Sequence, residues 1–120
     1  MIFELFETKS GPGLVARIEA RTEWDGYNYL LAELSAFCAR KRYQLQERQY
    51  EEFRIVNHKK TWYLPVATGD GNGVITISYL GDTYLHRLGR GWTAQKFWIF
   101  FNFSEESIGL SFRREFKENR

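Results

Sequence analysis

From Phe53 onward the chain is divided by turn signals too closely spaced for a crossover connection, and this limits its fold more than any other feature. The signals are Asn57-His58-Lys59-Lys60, Gly69-Asp70-Gly71-Asn72-Gly73, Gly81-Asp82, Gly89-Arg90-Gly91 and Ser104-Glu105-Glu106-Ser107. Parallel strands need a dozen or more connecting residues, so strands joined this closely must run antiparallel. Residues 53–56, 61–66, 74–80, 83–88 and 97–103 carry the β-branched, aromatic or alternating patterns of strands. A last strand is expected where Ile108, Leu110 and Phe112 alternate. Pro65 has no N–H to donate to a ladder, so its strand is expected at an edge or with a bulge. Residues 97–103 are apolar on both faces and predict a central, covered strand.

Upstream, residues 1–7 and 14–20 read as a strand pair around the turn Ser10-Gly11-Pro12-Gly13. Residues 23–42 predict the one long helix. Thr22 can cap it, with its hydroxyl accepting a backbone N–H three residues on. Tyr27, Leu30, Leu31, Leu34, Phe37 and Cys38 recur at i, i+3, i+4, i+7 and make one apolar face. Arg40, Lys41 and Arg42 meet the negative end of the helix dipole. Residues 43–52 stay open between helix extension and loop. The expected fold is α+β: one domain over residues 1–120, with a curved, mostly antiparallel sheet of seven or eight strands packed on that helix.

Composition narrows the function. With 120 residues and 43% hydrophobic content the chain can bury its own core. No apolar run reaches the roughly 20 residues that span a bilayer, so no membrane partner is expected. Residues 1–9 contain Glu4 and Glu7 and lack a basic leader, so no secretory signal is expected. Cys38 is the only cysteine, which excludes an intrachain disulfide and points to a cytoplasmic protein. Two histidines and one cysteine leave little for a zinc site, and no metal or cofactor is expected. The net charge is +2, divided evenly between the halves. Dedicated nucleic-acid domains usually carry a larger, clustered basic excess. Aromatic residues make up 18% of the chain and can serve as core or as interface anchors.

No segment matches a catalytic motif. The run Gly69-x-Gly71-x-Gly73 resembles a phosphate loop, but a strand follows it where a helix N-terminus is needed. Asp70-x-Asn72 resembles the start of a calcium loop, but Gly81 stands where the closing Glu belongs. Cys38 has apolar helical neighbours, which favours a buried, inert thiol. His58 and His86 are the only imidazoles, and a metal-independent nuclease using them as general acid and base is a third reading.

Basic residues recur near aromatics in Lys59-Lys60-Trp62-Tyr63 and His86-Arg87-Arg90-Trp92-Lys96, among other segments. Gly89 and Gly91 would make a loop carrying Arg90 and Trp92. Such pairs can stack bases and hold phosphates, which makes single-stranded nucleic acid the alternative partner. The absence of a catalytic constellation favours a non-enzymatic module that binds a protein, in the class of small inhibitors, immunity proteins and accessory proteins. Homodimerisation is a related outcome. The expected partner-binding anchors are Trp92 and Arg90, then Trp62, Tyr63 and Lys60.

Overall fold

A computed structural model describes residues 2–7, 13–79, 85–88 and 92–118, and the side chains of residues 13–78 and 99–116. The order is β1 (Ile2–Glu7), β2 (Leu14–Ala20), α1 (Glu23–Lys41), β3 (Gln44–Leu45), β4 (Arg54–Val56), β5 (Lys59–Thr68), β6 (Gly71–Tyr79), β7 (Leu85–Leu88), β8 (Trp92–Phe103) and α2 (Glu106–Glu118). A turn of 3₁₀ helix, Tyr50–Glu52, lies between β3 and β4. The fold is α+β, with a curled antiparallel sheet in the order β1-β2-β8-β6-β5-β3. The strands β4 and β7 pair alongside β5 and β8.

Helix α1 begins where its cap predicts. Thr22 is extended, and its Oγ1 accepts the Asp25 N–H at 3.1 Å. It ends at Arg42, which takes a left-handed conformation while the Tyr43 N–H donates to the Cys38 carbonyl at 2.8 Å. Tyr27, Leu30, Leu34, Phe37 and Cys38 are buried against one sheet face, formed by Ala16, Ile18, Trp62, Leu64, Ile75, Ile77, Ile99 and Phe101. Burial pushes the Cys38 thiol up to about 11, so it is inert at neutral pH.

Two expectations are corrected. The segment read as a last strand is helix α2, so the sheet packs on two helices. The central strand β8 already pairs with β2 on one side and β6 on the other. Nothing remains there for a further strand to pair with. Ile108 and Phe112 instead turn inward one helical step apart. Phe112 meets Phe37, Phe101 and Phe103 at centroid separations of 5.2–5.7 Å, and Lys41 reaches Glu115 at 3.3 Å.

The second correction concerns Pro65, whose strand is paired on both sides. The residue opposite it on β6, Val74, exchanges hydrogen bonds with Ser104, both 2.9 Å long. Pro65 therefore turns its backbone to the other edge, where its carbonyl accepts from the Gln46 N–H at 2.8 Å. That edge is covered in two short pieces, β3 and β4. Its missing N–H faces the end of β3, where the ladder stops, so only the reciprocal bond to Gln46 is lost.

The glycine run closes the β5–β6 hairpin with Gly69-Asp70, and Gly71 and Gly73 lie within β6. A strand follows, so no helix N-terminus stands behind this turn. A Cβ on Gly73 would come within 3.0 Å of Ser104 Oγ, the atom that accepts the Val74 N–H.

Candidate protein-binding surface

The β4–β5 hairpin and the segment that leads into it are built around Trp62. This residue was expected as a surface anchor and is instead wholly buried. Tyr27 of α1 stacks on it at 4.6 Å, while Tyr50 and Phe53 approach at 5.7 and 6.0 Å. A buried indole N–H needs an acceptor, and the Tyr50 carbonyl supplies one at 3.1 Å. Residue type could not separate core from anchor. The position of α1 did.

These contacts hold the otherwise irregular residues 46–53 in place. The Gln46 N–H is bound to Pro65, the Arg48 carbonyl accepts from Tyr27 Oη at 2.6 Å, and Glu52 accepts the Gln49 N–H at 3.3 Å. Tyr50 Oη donates to Glu23 at 2.8 Å.

Lys60 lies on the same side. Its Nζ is 2.9 Å from Glu23 Oε2 and 3.2 Å from Tyr50 Oη. Burial pushes the Glu23 carboxyl up, but the hydrogen bonds from Lys60 and Tyr50 and the Lys60 charge hold it below its ordinary value. The hydrogen bond to Glu23 holds Lys60 above its own. The pair contributes stability between these limits. The contribution is lost as pH falls through the lowered Glu23 value, or as pH rises through the raised Lys60 value.

Both side chains are partly exposed, so K60M is expected to cost only about 0.2–1 kcal/mol at neutral pH. That difference from the parent should shrink between neutral pH and an acid pH low enough to protonate the Glu23 carboxyl. Urea unfolding of both chains at the two pH values measures it.

The hairpin turn is Asn57-His58, with φ of 52° and 64°. Two left-handed residues are what a two-residue turn of right-twisted strands requires, and glycine is preferred at the second. H58G is expected to raise stability by up to about 1 kcal/mol, read as a shift in the urea midpoint. His58 is exposed at this tip, and no described contact joins it to another ionisable side chain. The side chain of His86, on β7, lies outside the described residues.

Tyr63 stands on the face of the sheet away from the helices and is 40% exposed. Arg90 lies outside the described residues. Trp92 opens β8 opposite Leu88, and its side chain is not described. Of the five expected anchors, the described structure thus brings Lys60 and Tyr63 to one hairpin and moves Trp62 into the core.

Three exposed apolar residues were not expected. Ile55, 63% exposed, lies opposite Lys60, and Val56 is exposed opposite Lys59. Trp24, 54% exposed, follows Glu23 in the first turn of α1. One sequence signal could have drawn attention here. Residues 53–68 hold Arg54, His58, Lys59 and Lys60 and no Asp or Glu. Arg54 and Lys59 make no ion pair with any described residue.

No family model, curated protein or solved structure matches the chain. Among the described residues no cluster of His, Cys, Asp and Glu could hold a metal ion, and no helix is long and apolar enough to cross a membrane.

Proposed function

We propose that the protein is a non-enzymatic binding module whose partner is another protein, and that the β4–β5 hairpin with the start of α1 is its docking surface. The observation that carries this reading is the exposure of Ile55 and Val56 on the hairpin that carries Arg54 and Lys59, cations with no ion pair among the described residues. Exposed Trp24 adds to it, next to Glu23, which binds Lys60 of that hairpin. Large apolar side chains surrounded by charge are the composition of interface anchors. The aromatic core around Trp62 and Tyr27 makes the surface rigid, which lowers the entropy lost on docking. Arg90 and Trp92 remain proposed as a further contact, on their residue types and sequence position. A partner of this surface would carry an apolar patch with an acidic rim.

The reading predicts that the tagged chain retains a partner at moderate salt, and that I55D loses it. L110D changes another exposed apolar residue, on α2, 53% exposed, and should retain it. Retention by I55D would refute the assignment.

A second reading is single-stranded nucleic-acid binding. It is favoured by the half-exposed Tyr63 ring beside Arg54, a pairing that can stack a base and hold a phosphate. It predicts binding to single-stranded RNA or DNA that weakens steeply with salt, because counterions are released on association.

A further inference from the structure

The edge of β5 is covered by β4 at residues 59–61 and by β3 at residues 66–67, which leaves an interval between them. A cleft of about 320 Å³ opens there, lined by Arg48, Glu52, Arg54 and Tyr63. We propose that this cleft is a receptor for a single carboxylate, supplied by an aspartate or glutamate side chain of the protein partner. The proposal rests on the protein-binding reading above and adds the group that is recognised.

The donors are in place. Arg54 has no acidic partner among the described residues. Arg48 has only Glu52, at 3.9 Å, which is too long for a hydrogen bond. Both guanidiniums therefore keep planar donor pairs that match the two oxygens of a carboxylate. Alternation along β5 adds a third donor. The Pro65 carbonyl faces this edge, so the Tyr63 N–H, two residues earlier, faces it too, and neither β3 nor β4 pairs with Tyr63. The half-exposed Tyr63 ring offers an apolar wall for the methylene stem of the incoming acid.

Charge selects the ligand. Two arginines and Glu52 leave the cleft one positive charge, which one carboxylate neutralises. A nucleic-acid strand would bring a row of phosphates past Glu52 in the lining, and the like charge would repel it. The segment that holds Arg48 is fixed from behind by the Tyr27 and Trp62 hydrogen bonds, so the site needs little ordering on binding.

The test is an NMR titration of the full chain, reading the arginine side-chain N–H signals, with the amide of N-acetylglutamate as probe. Its uncharged glutamine counterpart, inorganic phosphate and a short single-stranded oligonucleotide are the comparisons. Saturable shifts at Arg48 and Arg54 with the glutamate probe alone are expected. R54Q should weaken them about tenfold or more, the loss expected for one charge-assisted contact, with an unchanged melting temperature. R54K, which keeps the charge but not the fork, should fall between.

Equal shifts from the glutamine counterpart, no saturation, or tighter binding of phosphate or the oligonucleotide would overturn the proposal. Its failure is separable from failure of the docking surface. If the probe does not bind but I55D still loses the partner, only the carboxylate site falls. If I55D keeps the partner, the docking surface falls whatever the probe does.

Discussion

Replacing Trp62 with alanine is expected to lower folding stability by about 3–5 kcal/mol, the range for truncating a buried large aromatic. Trp62 is wholly buried, stacks on Tyr27 and donates its indole N–H to the Tyr50 carbonyl. Alanine removes the stack, leaves a cavity and orphans that carbonyl. A loss of this size is a large fraction of the stability of an ordinary domain. W62F separates the causes. It keeps a ring against Tyr27 and gives up the hydrogen bond, and should cost about 1–3 kcal/mol. Urea unfolding followed by circular dichroism measures both. If W62A unfolds at the parent's midpoint, Trp62 is not a core residue, and its place as a surface anchor returns.

The second large effect distinguishes a helix from a strand at residues 106–118. F112A should cost about 3–5 kcal/mol, because Phe112 fills the space between Phe37, Phe101 and Phe103. L110D should change stability by no more than about 0.5 kcal/mol, because Leu110 faces outward from α2. In a strand, Ile108, Leu110 and Phe112 would share one face, and the aspartate would be as damaging as the alanine. Comparable losses in the two variants would therefore count against the helix.

Most of the fold was legible because its signals are local. The cap at Thr22, the apolar stripe from Tyr27 to Cys38 and the cationic last turn lie within the segment that becomes α1. The Gly69-Asp70 and Asn57-His58 turns lie in the sequence between the strands they join. The candidate site was legible only in part. Lys60 and Tyr63 were found by residue type on a readable hairpin. Ile55 was not, since its alternation resembles that of any half-buried strand, and only the limited reach of α1 along the sheet leaves it uncovered.

The sequence by itself determined the α+β class, the antiparallel pairing that short turns impose, and the position and ends of α1. It could not determine α2, because Ile108, Leu110 and Phe112 satisfy a period of two while Ile108, Phe112 and Phe116 satisfy a helical one. The tertiary structure decided between them: both sides of β8 were taken, and an aromatic pocket was open to Phe112. The same holds for Trp62, made core by a helix that precedes it by about twenty residues in the chain and stacks Tyr27 on its ring. It holds too for the cleft, whose Arg48, Arg54 and Tyr63 meet only because β3 and β4 cover the edge of β5 in two pieces. Local patterns select dihedral angles and faces. Which faces meet, and which groups are left uncovered at their margins, depends on contacts between residues distant in sequence.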